Sequence, residues 1–140
     1  MPSSLSRVLR VRALQEELAR MELETETARL REFEEIAAQA ACEARSSRER
    51  WFVMVEGERG GQEASSLRIA EDDAWSMAVG RRAQAEARRP AQEARVERAR
   101  AEFLAGRRDR KQVESLLAAA ADIERLQRDR REQRRVDDWF

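Results

Sequence analysis

Apolar side chains recur every three or four residues along both halves of this chain, which is the spacing of one face of an α-helix. In the first half the series is Leu5, Val8, Leu14, Leu18 and Met21, followed by Leu30, Phe33, Ala37, Ala40, Ala44, Ser47, Trp51 and Met54. In the second half it is Leu67, Ala70, Ala74 and Met77, followed by Val96, Ala99, Phe103, Val113, Leu117 and Ala120. The pattern predicts two long helices, over about residues 4–56 and about 66–138.

The first series changes phase between Met21 and Leu30. We therefore expect a packed face that departs from a strict seven-residue repeat, with weaker supercoiling at this point.

One cluster of helix-breaking residues separates the two series and predicts a turn over about residues 57–65. The cluster comprises Gly57, Gly60, Gly61, Ser65 and Ser66. If the chain folds back at this turn, residues whose numbers add to about 121 face each other, as Leu18 and Phe103 do. The predicted fold is all-α, with one coiled-coil domain over residues 1–140 that forms a long antiparallel two-helix hairpin.

The distribution of charge agrees with this antiparallel alignment. Residues 81–111 contain 11 basic and 5 acidic side chains, whereas their expected partners, residues 10–40, contain 5 basic and 8 acidic ones. Folding back brings the basic segment against the acidic one, which favours the antiparallel over the parallel arrangement.

The second helix is longer than the first, so residues 117–140 are predicted to overhang as an unpaired helix at the C-terminal end. This overhang has no intramolecular partner for its apolar side chains, so either another protein covers them or the helix frays when the chain is alone. These side chains are Leu117, Ile123, Leu126, Val136, Trp139 and Phe140.

Pro90 interrupts the predicted second helix, because proline has no N–H to donate to the Glu86 carbonyl. The residue is expected either to kink this helix or to break it. The apolar pattern continues on both sides of Pro90, which favours a kink.

Composition excludes several classes of enzyme. The 140 residues include no histidine, which removes the commonest general base and the commonest zinc ligand. Adjacent acidic residues, such as Glu34 and Glu35, are interpreted as solvated side chains rather than acid–base pairs, because neighbours on a helix point about 100° apart. Cys42 lies in an alanine-rich stretch and is expected to be a small buried thiol. We find no candidate catalytic residue, metal ligand or cofactor site, and expect a protein that is not an enzyme.

The chain is expected to be cytoplasmic and to have no membrane span. Its apolar runs, such as Trp51 to Val55, are far shorter than the roughly 20 residues that a spanning helix needs. The first nine residues also lack the apolar run of a secretory signal.

The arginine-rich segment 81–111 has the charge of a nucleic-acid-binding surface. However, glutamates are interleaved throughout it, and few aromatic side chains are present for base stacking. Pairing with the first helix explains its charge more simply, so no nucleic acid is expected as a partner.

A group of large apolar side chains lies on either side of the turn. The group comprises Trp51, Phe52, Met54, Val55, Trp75 and Val79. These residues are typical both of a core that closes the end of the hairpin and of a protein docking site. The sequence leaves both interpretations open.

Both ends of the chain carry residues found together in one known family. They are Leu5, Val8, Leu9, Arg12 and Glu16 at the start, Arg110, Lys111, Glu114 and Leu116 later, and the run Glu132-Gln133-Arg134-Arg135-Val136-Asp137-Asp138. Through these residues, its length, its two-helix layout and the glycine turn near residue 60, the chain resembles the FliJ family of flagellar type III export stalks. Pro90 departs from the continuous second arm of that family.

The resemblance implies a non-enzymatic central stalk that inserts into the hexameric flagellar export ATPase and links it to the export gate. The implied partners are this ATPase and its regulator, the cytoplasmic part of the export gate membrane protein, and export chaperones. The implied location is the cytoplasmic face of the inner membrane at the flagellar base. Alone, the chain is expected to be a monomer.

By analogy with that family, each end of the hairpin meets a different partner. The gate would contact the end next to the turn, through Trp51, Phe52, Met54, Val55, Trp75 and Val79. The ATPase would contact the terminal end, through Arg7, Arg10, Arg12, Arg125, Arg128, Arg131, Gln133, Asp137, Trp139 and Phe140.

Two alternatives stay open. The chain is also compatible with the injectisome counterpart of this stalk, which gene neighbourhood would separate from the flagellar protein. From a different class, a generic dimeric coiled-coil adaptor or an arginine-rich nucleic-acid binder has a similar composition.

Overall fold

The computed structural model describes residues 3–57 and 62–140 of the chain. Two α-helices account for 96% of these residues, α1 over Ser4–Glu56 and α2 over Gln62–Asp137. The two helices pack against each other, and no strand occurs among the residues described. The prediction of an all-helical chain is confirmed.

Local hydrogen bonds account for both ends of α1. The Ser3 hydroxyl accepts the Ser6 backbone N–H at 3.2 Å, which satisfies a donor that has no partner within the helix. At the other end the Gly57 N–H donates to the Val53 carbonyl at 2.9 Å and completes the last turn.

The second helix begins earlier than the sequence pattern predicts. Residues 62–65, expected in the turn, are already helical. Glu63 lies in this first turn, where a negative charge favours the helix dipole. The expected turn residues Gly60 and Gly61 lie outside the described residues.

Pro90 lies inside α2, which continues as one helix on both sides of it. A break at Pro90, one of the two expected outcomes, is therefore wrong.

The chain divides into two compact units, which we describe separately. Unit 1 contains Met1–Leu23 and Arg98–Phe140, and unit 2 contains Glu24–Glu97.

In unit 1 the residues shielded from solvent recur in alternating steps of three and four on each helix. We call these positions the seam. On α1 they are Leu5, Leu9, Arg12, Glu16, Ala19 and Leu23, and on α2 they are Ala99, Phe103, Gly106, Arg110, Val113, Leu117 and Ala120. Alternating steps of three and four are the spacing of two helices packed side by side.

Charged side chains occupy the middle of the unit 1 seam. Arg12 forms an ion pair with Asp109 at 3.4 Å, and Arg110 donates hydrogen bonds to Glu16 and Glu114. The hydrogen bond to Glu16 is the main cause that raises the pKa of Arg110, so this guanidinium stays protonated. The pairs Arg12–Asp109 and Arg110–Glu16 therefore connect half-buried charges of the two helices.

The helices of unit 1 approach closely at Gly106. A Cβ atom built on this glycine would lie 3.7 Å from the Glu16 Cα atom. Since glycine has no side chain, the α2 backbone packs directly on the α1 backbone beside the charged layer.

The seam of unit 2 continues with the same alternating spacing. On α1 it comprises Glu26, Leu30, Phe33, Ala37, Ala40, Ala44, Ser47, Trp51 and Met54, and on α2 it comprises Arg68, Glu71, Trp75, Ala78, Ala85, Gln92 and Val96. The two α2 positions that would complete the series, Arg82 and Arg89, are exposed. Ala40, Ala78, Ala85 and Val96 are at most 5% exposed and form the apolar part of this seam.

Two details of the predicted packing are wrong. No change of phase occurs between Met21 and Leu30, because the shielded residues of α1 keep alternating steps of three and four from Leu5 to Met54. In addition, several residues assigned to the packed face point away from it. They are Val8, Leu14, Leu18 and Met21 on α1, and Leu67, Ala70, Ala74 and Met77 on α2.

The cause of this error is the polarity of the seam. Helical spacing alone assigns large aliphatic residues, such as Leu14 and Leu18, to the packed face. In the structure these side chains are 65% and 66% exposed, while Arg12 and Glu16 take the inner positions as members of ion pairs.

Ion pairs between described residues join the two helices of unit 2. They include Glu34 with Arg89, Glu43 with Arg81, Arg48 with Asp72 at 3.0 Å, and Arg50 with Glu71 at 2.9 Å. As the residue number on α1 rises, that of its partner on α2 falls.

Candidate functional site

Three aromatic residues, Trp51, Phe52 and Trp75, form an aromatic cluster in unit 2. Trp51 and Trp75 occupy seam positions on α1 and α2 and are half-buried. Trp51 contacts Phe52 edge to face, with ring centroids 5.3 Å apart and an interplanar angle of 89°. Both tryptophans therefore serve the packing of this unit, one of the two roles that the sequence left open.

Arg48 connects the two tryptophans. Its guanidinium carbon lies 4.0 Å from the centroid of Trp75 and 5.8 Å from that of Trp51, within the range of a cation–π contact. The same guanidinium donates to Asp72 at 3.0 Å. One charged side chain thus holds aromatic residues of both helices in place.

Two polar atoms beside this cluster are buried and unpaired among the described residues. They are the indole Nε1 of Trp51 and the carboxylate Oε2 of Glu71. The other oxygen of Glu71 accepts a hydrogen bond from Arg50 at 2.9 Å. A buried donor and a buried acceptor without partners lower the stability of this end of the unit.

Three of the four other residues predicted beside the turn are more exposed than the tryptophans. Phe52 is 56% exposed, Val55 and Val79 are also exposed, and Met54 is half-buried at a seam position. Phe52 and Val55 follow Arg48 at steps of four and three, so these three residues share one flank of α1.

The Arg48–Asp72 ion pair joins this flank of α1 to the flank of α2 that carries Ile69 and Val79. Ile69 is 63% exposed and belongs to the Phe52 side, although the sequence analysis did not select it. Its signal was a step of three from Asp72. Val79 lies ten residues, or about 15 Å of helix, further along α2, so the structure separates it from Ile69.

In unit 1, the predicted terminal surface is wholly exposed beyond Ala120. We call residues 121–140 the terminal segment; every residue in it is exposed. Leu117 and Ala120, in contrast, are half-buried. Among the apolar side chains of the segment, Ile123, Leu126 and Val136 are 56%, 57% and 51% exposed, and both Trp139 and Phe140 are more so.

The polar residues predicted for this surface have different local partners. Arg125 pairs with Asp122, and Gln133 donates to Asp137 at 3.2 Å, each within one turn of α2. Arg128 and Arg131 are exposed on the same helix.

The three arginines predicted near the start of α1 differ in their availability. Arg7 and Arg10 are exposed, whereas Arg12 is half-buried and paired with Asp109. Arg7 and Arg10 are therefore better placed than Arg12 to contact a partner.

Cys42 is exposed, so the expectation of a buried thiol is wrong. It lies next to half-buried Ala41 but outside the alternating seam positions, which explains why its alanine-rich surroundings were misleading.

The part of the chain that the structure describes contains no cluster of side chains suited to hold a metal ion. Within residues 3–57 and 62–140 there is also no helix apolar enough, over a sufficient length, to span a membrane.

Many arginines of the basic segment have carboxylate partners. In unit 2, Arg81 and Arg89 pair with α1, and Arg82 pairs with Glu86 on its own helix. In unit 1, Arg110 pairs with Glu16 and Glu114. This pairing accounts for much of the local excess of basic residues.

No family model matches this chain, and no curated protein or solved structure matches it.

Proposed function

We propose that this chain is a non-enzymatic stalk of a flagellar type III export apparatus, which binds the hexameric export ATPase and links it to the export gate. The observation that carries the proposal is the terminal segment of unit 1. A segment whose Ile123, Leu126 and Trp139 side chains are 56%, 57% and 89% exposed is suited to bind another protein.

The proposed architecture is an antiparallel coiled-coil hairpin with a C-terminal overhang and a kink at Pro90. Within unit 2, the falling partner numbers of the ion pairs support the antiparallel direction, and Arg50 and Glu71 have numbers that add to 121. Within unit 1, Arg12 and Asp109 satisfy the same relation. On α1 the three-four spacing of the shielded positions continues from Leu5 to Met54, which supports a coiled coil.

The assignment of partners follows the exposure of each surface. The ATPase would bind the terminal segment together with Arg7 and Arg10, and the gate would bind the exposed side of the aromatic cluster around Phe52 and Val55. Export chaperones and the regulator of the ATPase are further proposed partners, and the inner face of the cytoplasmic membrane is the proposed location.

The first test measures the activity of a purified cognate export ATPase with and without this chain. The full chain should stimulate hydrolysis, and a variant truncated before Leu126 should not. A matched control, Leu67→Glu in unit 2, changes an equally exposed leucine and should stimulate like the full chain. If the truncated chain stimulated hydrolysis equally, the ATPase would be assigned to the wrong end. If the full chain neither bound nor stimulated the ATPase, the proposal would be overturned.

Of the alternatives, the injectisome stalk shares this architecture and would be distinguished by which ATPase binds. The nucleic-acid-binding alternative is less well supported, because carboxylates pair with Arg81, Arg89 and Arg110. Salt-sensitive binding to duplex DNA at micromolar protein would favour it over the stalk.

A further inference from the structure

Four large apolar side chains form a second stripe on α1 of unit 1, which we call the outer stripe. It comprises Val11, Leu14, Leu18 and Met21. They are 52%, 65%, 66% and 52% exposed, respectively. Their spacing of three, four and three is that of a helix-packing face.

The outer stripe lies on the far side of α1 from α2. Each of its members follows a seam residue by two positions, as Leu14 follows Arg12 and Leu18 follows Glu16. Two positions turn the direction of a side chain by about 200° around the helix. The helix therefore has a packing face on each side, and α2 covers only one of them.

We propose that the outer stripe pairs two copies of this chain through antiparallel contact of their α1 helices. The stripe is complementary to itself about a two-fold axis near residue 16. In that arrangement Val11 lies opposite Met21 of the second copy, and Leu14 lies opposite Leu18 of the second copy. One surface thus supplies both halves of a closed, symmetric interface.

Charge selects the antiparallel over the parallel direction. The start of α1 carries Arg7 and Arg10, and its first turn has no acidic residue to favour the helix dipole. The residues that follow the axis are mostly acidic, since Glu17, Glu22 and Glu24 outnumber Arg20, which pairs with Glu17. An antiparallel pair brings the basic end of each copy to the acidic end of the other, whereas a parallel pair sets like charges together.

This proposal changes the expected oligomeric state and does not depend on the proposed function. The monomer was predicted with Leu14, Leu18 and Met21 packed inside the hairpin. Since Leu14 and Leu18 are 65% and 66% exposed, a second copy can pack on them. A single helix pair is small for a specific interface, so we expect a dimer that dissociates in the micromolar range.

The first experiment is sedimentation equilibrium of the full chain from about 2 to 200 µM, which spans the range expected of a small interface. The double variant Leu14→Glu, Leu18→Glu should raise the dimer dissociation constant by more than about 100-fold, because each substitution removes a buried leucine contact. The matched control Leu67→Glu, Met77→Glu alters two equally exposed residues of unit 2 and should leave the constant unchanged. The proposal would be overturned if the full chain stayed monomeric at every concentration. It would also be overturned if both double variants weakened the dimer equally.

The second experiment tests the direction of pairing by disulfide formation, in a Cys42→Ser background. Gln15→Cys lies near the two-fold axis and should cross-link two copies under mild oxidation. Val8→Cys should not, since antiparallel pairing sets the two Val8 positions about 24 Å apart along the helices. Cross-linking at both positions would show parallel pairing and overturn the proposal. Failure of Gln15→Cys to cross-link would also overturn it.

Discussion

The side-chain amide of Gln92 donates a hydrogen bond to the Glu26 backbone carbonyl at 2.9 Å, across the seam of unit 2. The same amide nitrogen also contacts the Glu26 carboxylate. Gln92 is only 4% exposed, and it joins the two helices through a polar contact.

Replacing this amide should destabilise unit 2. Gln92→Leu has a similar length but removes the donor to Glu26 Oε2 and leaves that carboxylate paired with Arg29 alone, so we expect the free energy of unfolding to fall by about 2 kcal/mol. Urea denaturation followed by circular dichroism measures it. Gln84→Leu, an exposed change on the same helix, should stay within about 0.5 kcal/mol. Equal stability of the two variants would mean that the amide contributes nothing.

The two glycines inside α2, Gly80 and Gly106, should respond differently to side chains of increasing size. A Cβ at Gly80 meets nothing within 4 Å, and one at Gly106 meets Glu16 at ordinary contact distance. Alanine should therefore stabilise the chain at either site by up to about 1 kcal/mol, because glycine is a poor helix former.

Leucine extends the same comparison. Gly80→Leu should remain as stable as Gly80→Ala, whereas Gly106→Leu should force the helices of unit 1 apart and lower the melting temperature. Thermal unfolding of the four variants measures both effects. If Gly106→Leu were tolerated, the close approach at Glu16 would be absent in solution.

Leu30 and Leu67 test which residues form the seam of unit 2. Leu30 is half-buried in the seam, and Leu67 is 55% exposed. Leu30→Ala should reduce the free energy of unfolding by about 1–2 kcal/mol, less than for a fully buried leucine. Leu67→Ala should change it by less than about 0.5 kcal/mol. Chemical denaturation measures both changes. If Leu67→Ala cost more than Leu30→Ala, Leu67 would be a seam residue, as the apolar pattern predicted.

Arg48 should influence both tryptophans that it contacts. Arg48→Ala removes the cation–π contacts and the Asp72 ion pair, and we expect a loss of about 1 kcal/mol because the side chain is partly solvated. Near-ultraviolet circular dichroism should show altered packing of Trp51 and Trp75. Arg45→Ala, an exposed neighbour, should leave this spectrum unchanged.

Pro90 should weaken the helix that contains it. Pro90→Ala restores an N–H that can donate to the Glu86 carbonyl, and the residue is exposed, so no packing opposes the change. Stability should rise by up to about 3 kcal/mol, measured as a higher melting temperature. An unchanged or lower value would indicate that the helix is adapted to the proline.

The sequence predicted the helical layout well because spacing and helix-breaking residues are local signals. It also selected Val96, Ala99, Phe103 and Val113 correctly, since these are apolar residues at true seam positions. It failed at Leu14, Leu18, Leu67 and Met77, where aliphatic side chains lie outside the seam.

Ion pairs between the two helices held the information that the apolar pattern lacked. Arg12 and Asp109 lie far apart in the sequence, and only their contact makes Arg12 a favourable seam residue. The aromatic residues were found from composition, but their half-buried state depends on Arg48 and on packing against the other helix. Ile69 was missed because its step of three from Asp72 gains meaning only from the Arg48–Asp72 ion pair.

The Gln92–Glu26 contact also limits how the length of this protein can vary. A hydrogen bond across a regular three-four seam is formed in one alignment of the helices, and inserting one residue between Glu26 and Ser47 would turn every following side chain by about 100°. Insertions of seven residues, made in both helices, leave the seam residues of each helix directed toward the other helix and keep the polar contact. Relatives of this chain are therefore expected to differ in length by paired heptads within unit 2.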